Sequence, residues 1–255
     1  MSVVVMLSRR WILTTVLVVL GAAGCARLGI WQLDRLAQRR AFNAHVAAVR
    51  VLPAVRLPAT ETLESQEYRS AWARGSYDYQ HQVAIRNQAH EGQPGHRLLT
   101  PFLIEETSGV AGDPAAVVLV DRGWIPAEGN EHTQDWHQYD VPGPLEIRGV
   151  IRLPQATPVL GGMAQPTPAP GVSWTDYWLY VDVVQIGNQL PYAVLPVYLQ
   201  LDASQNAAAL PISEPPTLEL TEGPHQGYAL QWFSFALILM VGYPIYVGKQ
   251  ETSRA

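Results

Sequence analysis

The side chains able to carry chemistry are thinly spread along this 255-residue chain. Its seven histidines contain no H-x-x-x-H pair. His132 and His137 come nearest to a metal-binding spacing, with Asp135 between them, but they sit in a polar stretch whose ordinary reading is a solvated loop. The single cysteine, Cys25, rules out a disulfide within the chain and a thiolate-built zinc or copper site. There is no nucleophile elbow and no phosphate-cradling glycine loop. Glu105 and Glu106 adjoin a turn and are expected to face solvent. No catalytic residue and no metal site is expected, and the chain reads as something other than an enzyme. One histidine has a distinctive setting. His225 opens the stretch HQGYALQWF just before a long uncharged run, with Tyr228 and Trp232 close by. An imidazole at the rim of a hydrocarbon layer, among aromatic rings, is placed to ligate a haem iron; the plainer reading is a loop histidine.

Two further stretches combine aromatic and basic groups. GIWQLDRLAQRR (29–40) holds Trp31, Gln32 and Arg35, and VLVDRGWIP (118–126) holds Arg122, Gly123 and Trp124. Taken alone, the first is an interfacial anchor and the second a strand-to-turn junction.

The elements that position these residues begin with two apolar runs. Only 15% of residues are charged, against roughly 25% in soluble domains. The deficit is concentrated in residues 11–26 and 228–247, which carry no charge. About 20 apolar residues cross a hydrocarbon core of about 30 Å. Residues 228–247 meet that length, with Tyr228, Trp232, Tyr243 and Tyr246 towards the ends as interfacial aromatics. The first run extends to 9–31 if Arg27 snorkels to the headgroups. A cleaved signal peptide is the rival reading for it: Arg9 and Arg10 precede an apolar core, and Ala22-Ala23-Gly24-Cys25 resembles a lipoprotein cleavage box that lacks the usual large aliphatic residue. Either reading exports the middle of the chain. Arg9, Arg10, Lys249 and Arg254 favour cytoplasmic termini, although Arg27, Arg35, Arg39 and Arg40 lie on the opposite side. The expected organisation is a cytoplasmic segment 1–8, a span 9–31, an extracytoplasmic β-rich domain 32–227, a span 228–247 and a cytoplasmic tail 248–255. The net charge of -5 supplies no basic face for nucleic acid, so the expected surroundings are a lipid bilayer.

Within the middle domain, residues 32–48 continue the first helix and end before Pro53. Residues 61–67 form a short helix. Strands are expected at 71–79, 82–88, 96–105 (broken or bent at Pro101), 115–121, 144–153 and 194–202, with a turn cluster at 89–95. Asp182 caps a helix over 182–190. Residues 154–171 form a proline-rich loop. The fold class is therefore an α+β membrane protein, two transmembrane helices flanking an antiparallel β-rich sheet or small barrel.

Taken in order, the motifs resemble the Surfeit locus protein 1 family. The carrying residues are Trp31-Gln32 with Arg35, Gly95-His96 with Thr100-Pro101, Val120-Asp121-Arg122-Gly123-Trp124-Ile125-Pro126, and His225 with Tyr228-Ala229 and Gln231-Trp232-Phe233. The chain departs from the family pattern at Gln226 (often Leu), at Asp121 (commonly Asn) and at Arg39 or Arg40 (commonly Lys). The resemblance implies an assembly factor for haem-copper cytochrome c oxidase that assists haem a insertion into subunit I, in the bacterial inner membrane as a multi-pass protein. The implied partners are cytochrome c oxidase subunit I and haem a synthase. His225 is the implied haem a ligand, with Trp31, Gln32, Arg35, Arg122, Gly123, Trp124, Tyr228 and Trp232 as structural or partner-facing positions. The alternative is a cofactor-free membrane scaffold that stabilises an oxidase subunit or another exported partner.

Overall fold

The computed structural model describes residues 3–59, 62–105, 116–154, 174–203, 210–214 and 220–253. The expected proline-rich loop therefore lies almost wholly outside the described residues. The chain divides into two units, one of Met1–His45 with Glu219–Ala255, the other Val46–Leu218.

The first unit is helical. After a short α1 (Val3–Met6), α2 runs Ile12–Arg50 and carries the expected extension beyond Trp31; α4 runs His225–Thr252. At 1.5 Å per residue, α2 is about 58 Å long, more than a bilayer core requires. A buried core helix would hide its apolar run, yet only 11% and 6% of the most apolar windows of α2 and α4 are covered by protein. Both helices are long and apolar enough to cross a membrane. They run antiparallel, matching Trp11 with Glu251, Thr15 with Tyr243, Gly29 with Phe233, and Gln32 with His225. Gly29 matters here: a Cβ would stand 2.7 Å from the Phe233 ring, so its absence lets that ring cross close to α2.

The second unit is built on strands β1 (Val55–Arg56), β2 (Ser70–Tyr77), β3 (Val83–His90), β4 (Gln93–Ile104), β5 (Ala116–Pro126), β6 (Leu145–Arg152), β7 (Tyr177–Trp178) and β8 (Tyr198–Leu201), and carries the short helix α3 (Val183–Asn188). Five strands close on themselves in the order β2-β6-β8-β5-β4, because β4 also pairs with β2, Gly75 opposite Ile104 and Tyr77 opposite Phe102. This is a small barrel-like sheet. Its interior is filled by alternate residues of each strand, among them Ala71, Ala73, Phe102, Val118, Val120, Ile147, Ile151 and Leu199. Leu119, on the opposite face of β5, packs with Val83, Trp178 and Ile186. β5 is consequently buried on both faces.

Several expectations are refined. The sheet is mixed: β1–β2, β3–β7 and β5–β8 pair in parallel. The parallel partners follow long connections, which is the condition for parallel pairing, and such pairing cannot be read from alternation. β4 is not broken at Pro101, which pairs opposite Leu119; its irregularity lies between Leu98 and Leu99. The turn expected over 89–95 narrows to Glu91 and Gly92, both at positive φ, between β3 and β4. β5 continues through Arg122, Gly123 and Trp124 to Pro126 instead of turning at Arg122. The cap on α3 is as expected, Asp182 accepting from the Gln185 amide at 3.0 Å.

Candidate functional site

The first group of candidate residues lies where α4 begins. His225 is the first residue of α4, and its Nδ1 lies 2.8 Å from the side-chain oxygen of Gln32 on α2. An amide oxygen only accepts, so Nδ1 carries the proton and donates. In the neutral imidazole this places the lone pair on Nε2, the form in which imidazole binds a metal. A hydrogen-bond acceptor on the far nitrogen is also what holds a ligating histidine in orientation. An open groove of about 510 Å³ runs along the same turns, lined by Leu33, Gln226, Gly227, Ala229, Leu230 and Phe233. Its lining is apolar except for Gln226.

The chain entering α4 is tied to α2 by Arg40, which holds Glu222 through two hydrogen bonds of 2.8 and 2.9 Å, and by Asn43, which donates to the Leu220 carbonyl. Arg40 holds the Glu222 carboxyl below its ordinary value. Trp31 is exposed and faces Arg35, whose guanidinium lies 5.5 Å from the ring centroid. Tyr228 is exposed, and the Trp232 ring meets Phe235 edge-on at 5.9 Å. Among the expected residues, Gln32 and His225 thus meet across the two helices, and Trp31 and Arg35 meet within α2. The described ring contacts of Trp31 and Trp232 are with Arg35 and Phe235.

Arg122, Gly123 and Trp124 belong to the β unit, where each has a tertiary role. Arg122 is 2% exposed. Its guanidinium lies 5.2 Å from the Tyr77 ring centroid and 5.0 Å from that of Tyr79, and it donates to the Tyr139 carbonyl. Burial raises the Tyr77 hydroxyl well above its ordinary value, which the nearby guanidinium only partly offsets. Gly123 has φ of 121°, and a Cβ there would stand 2.3 Å from the Ile212 carbonyl oxygen. Only glycine lets the segment 212–214 lie this close. That segment is clipped on by a two-way backbone pairing of Trp124 with Ile212, both bonds 2.8 Å, and by Ser213 donating to the Arg122 carbonyl.

Two partners of this motif lay beyond sequence reasoning. Arg97 on β4 pairs with Asp121 at 2.8 Å and reaches Glu214 at 3.7 Å. His90 also contacts Glu214, and its ring lies 5.1 Å from Trp124. Burial would lower the Arg97 pKa, but Asp121 and Glu214 hold it above its ordinary value. These contacts are non-local, and no spacing in the sequence announces them. Among the described residues no three His, Cys, Asp or Glu side chains converge on a common point; His137 pairs with Asp140, and Asp135 caps His132.

A profile of the SURF1 family matches residues 19–237. A SURF1-like protein of Rickettsia felis is 28% identical over 224 residues, covering 86% of this chain and 90% of that protein. A SURF1-like protein of Caenorhabditis briggsae is 23% identical over 239 residues, covering 84% and 69%. Surfeit locus protein 1 of Takifugu rubripes is 24% identical over 226 residues, covering 81% and 85%.

Proposed function

Because the chain belongs to the SURF1 family, we propose that it assists assembly of haem-copper cytochrome c oxidase by presenting or receiving haem a for insertion into subunit I. In this reading α2 and α4 span the bacterial inner membrane, and the β unit lies on its extracytoplasmic side. The supporting observation is the Gln32–His225 hydrogen bond at the head of α4, which orients the imidazole and, in its neutral form, directs the lone pair to Nε2. The residues fit the group: His225 would ligate its iron, and the groove along Leu33, Leu230 and Phe233 would accept an isoprenoid tail. Haem supplies redox-active iron once it is seated in the oxidase. This chain's own residues bind and orient it. Gln32 holds the imidazole, and Arg40 with Glu222 anchors the entry to α4. No catalytic turnover is assigned.

The test is haem a uptake by the full chain in detergent, read at the Soret band, for the natural protein and for His225→Ala and Gln32→Leu. Loss in the first variant and weakening in the second are expected; unchanged uptake in His225→Ala would remove His225 from this role. The same hydrogen bond also favours a second reading, in which it is simply an interhelical clasp within a cofactor-free scaffold. Co-purification of subunit I to the same extent with and without haem synthesis would support that scaffold.

A further inference from the structure

Two arginines of α2 stand where a bilayer would surround them, and nothing above uses their charge. Trp11 accepts from the Thr15 amide at the start of α2, and from there to Trp31 is about 30 Å of helix, the thickness of a hydrocarbon core. Arg27 precedes Trp31 by one turn, so its backbone lies about 6 Å inside that edge; Arg35 lies about as far outside it. This spacing keeps Arg27, Trp31 and Arg35 within an arc of about 80°, and all three are exposed. The Arg35 guanidinium lies 5.5 Å from the Trp31 ring centroid, and its Nη1 donates to Gln38 at 3.1 Å. Among the described residues, neither arginine has a carboxylate partner, and no described contact engages the Arg27 guanidinium. α4 does not answer the charge. It packs on another face of α2, at Gly21, Gly29 and Gln32, and its residues 228–247 carry no charge. The only carboxylate of α2 is Asp34, which is exposed and lies beyond Trp31. Below Arg27 the same arc continues through Gly24, Leu20 and Leu17, all exposed, and a Cβ on Gly24 would meet nothing within 4 Å.

A guanidinium keeps its charge in any protein setting, and at this depth it must reach water or an anion. An apolar strip topped by two cations and an indole has the polarity of one kind of membrane component. Phosphate accepts from a guanidinium fork, acyl chains cover leucine, and an indole sits at the level of the headgroups. We propose that Arg27 and Arg35 bind the phosphate of an anionic phospholipid whose chains lie along Leu17, Leu20 and Gly24. A zwitterionic headgroup fits less well, because its own cation would face the two arginines. The site takes α2 as a membrane span from the reading above and is independent of haem. It holds for whichever leaflet surrounds the Trp31 end.

The experiment places the full chain in nanodiscs of equal parts phosphatidylglycerol and phosphatidylcholine and reads, by native mass spectrometry, which lipid stays bound on release. One arginine at a membrane surface is worth about a fivefold preference for anionic lipid. The natural chain should therefore favour phosphatidylglycerol by about 25-fold, each of Arg27→Gln and Arg35→Gln by about fivefold, and the double variant not at all. Asp34→Asn should raise the preference. Arg74→Gln removes the same charge from an exposed ion pair of the β unit and should change nothing. A loss in Arg74→Gln equal to that in Arg27→Gln would overturn the proposal, leaving only an effect of net charge. Equal retention of both lipids by the natural chain would also overturn it, as expected if Arg27 reaches water or pairs with a carboxylate of a partner protein. Insertion is checked by alkaline extraction from vesicles of the same composition. A chain that washes off refutes the membrane reading itself, whereas an embedded chain without lipid preference refutes this proposal alone.

Discussion

Replacing Asp121 by alanine should destabilise the β unit more than any single change at its surface. The carboxylate is 8% exposed and accepts from Arg97 Nε at 2.8 Å and from the Gly123 amide at 3.1 Å. Its partner guanidinium is 15% exposed and would be left with Glu214 alone, at 3.7 Å. Removing one member of a buried ion pair costs about 3–5 kcal/mol, because the survivor stays desolvated without compensation. Glu214 supplies partial compensation, which puts the expected cost at about 3 kcal/mol. For a unit the size of Val46–Leu218 that is a fall in melting temperature of about 6–12 °C. The assay is near-UV circular dichroism of the full chain in detergent, with hydrogen exchange at the amides of β4 and β5. Asp121→Asn keeps an acceptor for the Gly123 amide and should lose less. The double change Arg97→Met with Asp121→Leu should also be milder than Asp121→Ala, since neither charge is then buried alone. A melting temperature for Asp121→Ala within about 2 °C of the natural protein would refute the reasoning.

Gly123→Ala should release the segment 212–214, because a Cβ would meet the Ile212 carbonyl oxygen at 2.3 Å and φ of 121° disfavours any side chain; the expected cost is about 2–3 kcal/mol, read as faster exchange of the Trp124 and Ile212 amides. The β unit should lose stability in acid. Burial, aided by Arg86, lowers the His96 pKa, and the net of its surroundings lowers that of Asp78. Each group therefore binds protons more readily when unfolded, so stability rises with pH through its range. The His96 contribution is present above about pH 6.5 and declines below it, and the Asp78 contribution declines below about pH 4. His96→Phe and Asp78→Asn should each flatten their own part of the acid limb of a melting-temperature profile. Arg40→Ala should leave the melting temperature unchanged at 0.15 M salt, since its pair with Glu222 is exposed; a measurable fall would contradict that.

What the sequence makes legible follows the range of the interactions. The two apolar runs, the helix continuing past Trp31 and the Asp182 cap are local patterns, and all stand in the structure as expected. Most strands were recognisable by alternation, as at Ile147 and Ile151. The extension of β5 through Arg122 was hidden because a charged residue normally ends a buried strand. Here Tyr77 and Tyr79 receive the guanidinium, and Arg97 receives Asp121. The β2–β4 contact that closes the barrel likewise depends on no local motif. His225 was singled out by its place at the head of an apolar run, but its partner Gln32 lies 193 residues away. The Asp78–His81 pair is close in sequence, but its spacing alone carries no signal; Tyr192 and Trp174, which complete the cluster, are brought near only by the fold.

The central claim is that the His225 imidazole, held by Gln32, takes haem a at the head of α4. The most direct measurement is the absorption spectrum and pyridine haemochrome content of the full chain purified in detergent from cells that make haem a. Haem a should co-purify with the natural chain and be absent from His225→Ala, although both reach the membrane in equal amounts. Equal haem a content in the two preparations, or none in either after saturating haem a is added, would contradict the account.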